Sequence, residues 1–132
     1  MNLDESHLQA LMDGMSAQWK KERAKTQMTL GKVIETLEAM PEGAEIEGLG
    51  ELDSYRGYYE DLAFEPIPGK RSAADVLEDC RAAMGQVFTG YKGGDFVMGA
   101  LTPMWVAPYG SCGQKLIYIN PDGSIETAED KF

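Results

Sequence analysis

The chain has 132 residues, 43% of them hydrophobic and twelve of them aromatic, with a formal net charge of −10 and a single histidine. That length suits one compact domain with a true core, and the hydrophobic share argues against disorder. The acidic field repels nucleic-acid backbones, which excludes general DNA or RNA binding, although a local basic pocket can still hold a small nucleotide.

The charge is unevenly spread. Residues 1–27 hold four acids (Asp4, Glu5, Asp13, Glu22) and four bases (Lys20, Lys21, Arg23, Lys25), so all of the −10 falls in residues 28–132. Leu8, Leu11, Met12, Met15 and Trp19 recur at steps of three and four. That spacing predicts an amphipathic helix over residues 3–25, with bases gathered at the end where the helix dipole favours them. Met28 opens the next segment much as an initiator would. Residues 1–27 are therefore expected to form an appended arm that serves assembly, and residues 28–132 a single domain.

A second helix is predicted from Thr29, its N-cap, with Leu30, Val33, Ile34 and Leu37 on one face and Pro41 and Gly43 ending it. Glu45–Leu52 reads as a short strand weakened by Gly48 and Gly50, and Tyr55–Phe64 as a strand or irregular ribbon. Pro66, Pro68 and Gly69 read as a loop. Ser72 then caps a third helix, SAADVLEDCRAAMG, with Asp75 close to capping-box spacing and Gly85 as the stop. Its inward face includes Cys80, which makes that thiol a core residue. From Val87 onward strands are predicted at 86–90, 95–98, 103–109, 114–120 and 124–127, the last two joined by the turn Asn120-Pro121-Asp122-Gly123. The expected class is α+β, with N-terminal helices, a central helix and a small antiparallel meander in the C-terminal half.

No apolar run reaches the roughly 18 residues of a membrane span. Asp4 and Glu5 stand where a signal peptide carries positive charge, so an intracellular location is expected. Cys80 and Cys112, with no CxxC spacing, are expected to be free thiols. Catalytic constellations are scarce. His7, the only histidine, is far in sequence from every polar cluster, which leaves Ser-His-Asp and Cys-His arrangements without a base and zinc without a ligand set. The turn GSCG at 110–113 would expose Cys112 between glycines, but no basic partner stands beside it. Paired acids such as Glu78 with Asp79 and Glu129 with Asp130 suit a solvated face; Glu60 with Asp61, which follow the aromatic ribbon, are the exception, a pair that a metal-using hydrolase could employ. A non-enzymatic protein without metal or cofactor is expected.

Two segments, SYRGYYEDLAF at 54–64 and GYKGGDFVM at 90–98, each set aromatic rings and glycine around one base. Nine of the twelve aromatics lie between residues 55 and 109. Aromatic faces stack bases at about 1–3 kcal/mol each, and a guanidinium holds phosphate by two points. Tyr55, Arg56, Tyr59, Tyr91, Lys92, Gly93, Gly94, Phe96, Trp105 and Tyr109 are therefore the candidate ligand-binding residues. Arg56 and Lys92 would meet phosphate, aromatics would sandwich a base, and Gly93-Gly94 would allow close backbone approach. An equally open reading makes these aromatics the core of a small sheet, with Arg56 paired to Glu60 or Asp61.

With TPMWVAPYGSCG and the helix between, these segments resemble a family of small proteins common in tailed-phage genomes, over residues 28–115. In size and element order the family is similar to phage sponge proteins that counter Thoeris defence by sequestering a cyclic ADP-ribose-type signal uncleaved. The resemblance implies action in the cytoplasm of an infected bacterium, a small anionic nucleotide held at a subunit interface of a homo-oligomer, and first contacts from Arg56, Tyr91 and Lys92. The alternative is an acidic inhibitor that binds a host defence protein or nuclease directly, with carboxylates imitating phosphates.

Overall fold

The computed structural model describes residues 24–55, 61–89, 95–108 and 112–129. In chain order these form α1 (Leu30–Glu38), β1 (Glu45–Ser54), β2 (Leu62–Ser72), α2 (Ala73–Ala83), β3 (Val87–Thr89), β4 (Asp95–Val97), β5 (Met104–Val106), β6 (Gln114–Ile119) and β7 (Ile125–Ala128). The helix expected over residues 3–25 lies almost wholly outside the described residues, and its last positions, Ala24 and Lys25, fall in a turn.

Both described helices start where their caps dictate. Thr29 accepts a hydrogen bond from the Lys32 amide at 3.3 Å and Ser72 one from the Asp75 amide at 3.1 Å, each satisfying an N–H that the first turn leaves over. Their apolar stripes meet one face of the sheet. Leu30, Val33 and Leu37 of α1 and Val76, Cys80 and Ala83 of α2 pack with Ile46, Leu49, Leu62, Phe64, Met104, Leu116 and Ile119 in one core. Each large side chain buried there contributes about 1.5–3 kcal/mol. The Cys80 thiol sits inside this core, where burial first, and Asp79 second, push its pKa up to about 12. The thiol form is thus favoured by folding. That contribution is complete below the ordinary value of 9.0 and is lost as pH rises toward 12.

The class is α+β, but the sheet corrects the expected antiparallel meander. Five strands run in the order β1-β2-β5-β6-β7, with β2 and β5 parallel. The long path from β2 through α2 and the β3–β4 pair returns the chain in the direction it left, which a tight hairpin cannot do. The sheet also draws on the N-terminal half through β1 and β2, the helices are interspersed with the strands, and β3 and β4 form a separate two-stranded sheet. Pro66 and Pro68, expected in a loop, lie within β2. The β5 partner covers only Leu62 to Phe64, so farther along, β2 has no described neighbour on that side and a proline costs no ladder bond there. Gly48, at φ +82°, occupies the irregularity where the β1–β2 register shifts, so the glycine that weakened the strand prediction is what lets Ile46 and Leu49 both turn inward.

Residues 27–29 are wedged between β5 and β6. The Met28 amide donates to the Leu116 carbonyl at 2.7 Å and its carbonyl accepts from the Met104 amide at 3.0 Å, while the buried Gln27 amide group donates to the Met104 carbonyl at 2.8 Å. Residues 27–29 are thus anchored to the sheet. Just beyond them, the Leu30 and Gly31 amides donate to the Thr102 and Ala100 carbonyls, which seats the start of α1.

The sheet curls until its far edges touch. Asn120–Ser124 forms the expected turn: the Gly123 amide donates to the Asn120 carbonyl at 2.9 Å and the Asn120 amide to the Ser124 carbonyl at 2.8 Å. Ser124, by its hydroxyl and then its amide, holds the Asp122 carboxyl below its ordinary value of 3.8. The Gly123 carbonyl in turn accepts from the Glu47 amide of β1 at 2.8 Å. Gly123 has φ +92°, and a Cβ there would strike the Glu45 carbonyl. Gly123→Ala should therefore cost more than about 2 kcal/mol in urea unfolding, from left-handed strain together with loss of this seam.

Candidate functional site

The face of the sheet away from the helices carries a second, smaller cluster. Ala63, Trp105 and Ala107 are buried there, with Tyr55 packed against them. Alternation along each strand sends Leu62, Phe64 and Met104 to the helix side and leaves Ala63 and Trp105 on this one. Directly opposed residues share a face, and the register pairs Asp53 with Ala63, Ala63 with Trp105, Trp105 with Lys115, and Lys115 with Ala128. One row thus crosses all five strands and sets Lys115 directly beside Trp105.

Tyr55 is brought over this row by the end of β1. Its amide donates to the Asp61 carbonyl at 2.9 Å, which holds together the two ends of the connection from β1 to β2. Its ring lies on Trp105 with centroids 4.3 Å apart and planes 5° from parallel. Its hydroxyl accepts from the Gly113 amide at 3.1 Å, at the entry to β6. The Trp105 indole N–H donates to the Asp61 carboxylate at 2.9 Å, an ionic acceptor that makes the bond stronger than a neutral one. Such ring pairs add about 0.5–1.5 kcal/mol beyond the area they bury. Four chain segments, at 55, 61, 105 and 113, are fastened at one point.

Of the expected binding residues, the structure brings Tyr55 and Trp105 together, and joins them to each other. Trp105 is only 2% exposed and one of its faces is covered by Tyr55, so in this arrangement it forms the floor of the site. Tyr55, half-buried, is the more accessible ring. Phe96 lies in β4, opposite Phe88 in the separate two-stranded sheet. Its side chain, and Arg56, Tyr59, Tyr91, Lys92, Gly93, Gly94 and Tyr109 entirely, lie outside the described residues. Asp61, considered in the sequence as a partner for Arg56 or a metal ligand, is here the acceptor of the Trp105 indole. Lys115 was not singled out in the sequence. Its signal was there: in QKLIYI the alternation that buries Leu116 turns Lys115 to the opposite face, but only the β5–β6 register shows which residue it joins.

Other features offer less chemistry. Cys112 is exposed next to Gly113, and Cys80 is buried. Among the described residues no group of three or more His, Cys, Asp or Glu is placed to hold a metal ion. No helix among them is long and apolar enough to cross a membrane. A cleft of about 460 Å³ between the end of α1 and the start of α2 has no aromatic wall, and its Arg81 is paired with Glu38 at 2.7 Å. Arg71 is likewise engaged, donating to Asp79 at 2.9 Å and to the Gly50 carbonyl at 2.8 Å. Along β1, Glu45, Glu47 and Glu51 are exposed.

Asp61→Ala should deprive the buried indole of this acceptor and cost about 1–3 kcal/mol in chemical denaturation. Trp105 fluorescence should shift to the red in the folded variant; an unchanged spectrum and midpoint would mean that Asp61 does not hold the ring. Compared with models of known families, with curated proteins and with solved structures, the chain gives no match.

Proposed function

We propose that this chain is a phage-encoded, non-enzymatic anti-defence protein that binds and sequesters a nucleotide immune signal, cyclic ADP-ribose-like or a cyclic oligonucleotide, on the helix-free face of its sheet. The observation that carries the reading is the cross-strand row that sets Lys115 beside Trp105, with Tyr55 stacked above. A nucleotide needs an aromatic surface for its base and positive charge for its phosphates, and a rigid sheet supplies both at fixed spacing. Lys115 and Tyr55 are the described residues assigned to these roles. Arg56, next in sequence to Tyr55, and Lys92 remain the candidates for further phosphate contacts. Asp53, in the same row, can accept hydrogen bonds from ribose hydroxyls or a base amine. Phage origin rests on the SYRGYYEDLAF and GYKGGDFVM segments.

A second reading, direct inhibition of a host protein, is favoured by one observation. The exposed Glu45, Glu47 and Glu51 line β1 at the border of the sheet, a rigid series of carboxylates that can stand in for phosphates before a basic groove.

The two readings separate in one experiment. The purified protein is incubated with a panel of cyclic and linear nucleotides, washed and heat-denatured, and the released compounds are identified by mass spectrometry. An intact nucleotide should be recovered, with affinity lowered at least about tenfold by Lys115→Ala or Tyr55→Ala, a loss of about 1.4 kcal/mol, and unaltered by Glu45→Lys with Glu47→Lys. Recovery of a cleaved product would make the protein an enzyme. No recovery, with a host protein captured by the native chain and released by the two charge reversals, would establish the second reading.

A further inference from the structure

The site described above leaves a groove along the C-terminal half of α1 without a role. Glu35, Thr36, Ala39, Met40 and Pro41 form one side and Tyr118, Ile119 and Pro121 the other, around a volume of about 330 Å³. Tyr118 is 44% exposed, an uncommon loss for a large ring with apolar neighbours at hand. The charged group of its rim is Glu35, which lies 3.8 Å from Lys32.

The chain itself carries a segment of matching chemistry. Leu8, Leu11, Met12, Met15 and Trp19 repeat at helical spacing, and Lys20, Lys21 and Arg23 follow at once. Residues 1–23 lie outside the described part, which begins at Ala24. Reach is sufficient. Met28 is pinned to Leu116, two positions along β6 from Tyr118. From Met28 to Glu35 the chain advances by seven residues, roughly 10 Å along a helix, and the five residues from Ala24, in the turn where the described part begins, back to Trp19 span roughly 8 Å if helical and up to about 17 Å if extended. An extended link therefore covers the distance from the start of α1 to Glu35. Charge favours the same match, because residues 28–132 hold the whole net charge of −10 while the segment ends in bases.

We propose that the amphipathic N-terminal segment docks in its own chain across this groove, with Trp19 against Tyr118, Met40 and Pro41 and with Lys20 and Lys21 at the Glu35 rim. The segment then covers the apolar surface of the body that carries it, where the sequence alone pointed to assembly between subunits. The inference stands or falls independently of any nucleotide.

Limited trypsin digestion of the full chain tests it, with cleavage after Lys20, Lys21 and Arg23 followed by intact mass. Docking should slow these cuts, and Tyr118→Lys or Trp19→Ala should each speed them about tenfold or more without lowering the unfolding midpoint materially. Trp19→Ala lies outside the described core, so it serves even if Tyr118→Lys weakens the fold. Equal cleavage rates in all three proteins, as expected if the segment lies elsewhere, for instance over the exposed Val87 and Val97, would overturn the proposal. Protection that disappears on dilution, together with a dimer mass in light scattering, would also overturn it by assigning the groove to a second copy.

Discussion

Register in the five-stranded sheet is the constraint on which the rest depends. Because successive residues of a strand face opposite ways, a slip of one residue would turn Leu62, Phe64, Met104 and Leu116 out of the core and drive Ala63, Trp105 and Lys115 into it. Three devices oppose such a slip. Residues 27–29 are hydrogen-bonded to both β5 and β6, so neither strand can move without breaking the entry to α1. The irregularity at Gly48 lets β1 present Ile46 and Leu49 to the same face. The Glu47–Gly123 bond closes the curl between the first and last strands of the sheet. Together they place the lysine beside the tryptophan, which no property of either residue alone would achieve.

The same register separates two jobs that one aromatic composition could have merged. On the helix side, Phe64 joins aliphatic and sulfur-containing side chains in the main core of the described residues. On the other side Tyr55, Asp61 and Trp105 form a polar-edged unit, in which a carboxylate and a backbone amide satisfy the ring N–H and hydroxyl. The tryptophan is held firmly, and its partner tyrosine and neighbouring lysine are the groups that the proposed reading assigns to a ligand. Fixing Lys115 on a strand and Tyr55 at the end of one lowers the ordering cost of binding, which suits the retention of a ligand proposed above.

Local chemistry was readable in the sequence, and long-range pairing was not. Thr29 and Ser72 cap their helices as the sequence predicted, Gly85 follows α2 with φ +82°, and Asn120–Gly123 turns the last hairpin, because each depends on residues a few positions apart. Cys80 was placed in the core by helical spacing alone. The parallel β2–β5 contact joins residues about forty positions apart, and nothing local marks it. Pro66 and Pro68 misled for the same reason: a proline's cost in a strand depends on whether a neighbour needs its N–H. In the candidate site, composition singles out Tyr55 and Trp105, which stack on each other, whereas the placement of Lys115 beside Trp105 depends on the strand register and nothing local marks it.

The most direct test of the central claim uses two protons that report from opposite sides of the site, the Trp105 indole N–H and the Gly113 amide, the donors to Asp61 and to the Tyr55 hydroxyl. In a nitrogen-15 spectrum titrated with a cyclic ADP-ribose-type nucleotide and a cyclic dinucleotide, the account predicts that one of them shifts both signals, together with the Lys115 amide, and leaves the α1 amides in place. Shifts confined to the helices or to the exposed acids of β1, or no shift with either nucleotide, would contradict it.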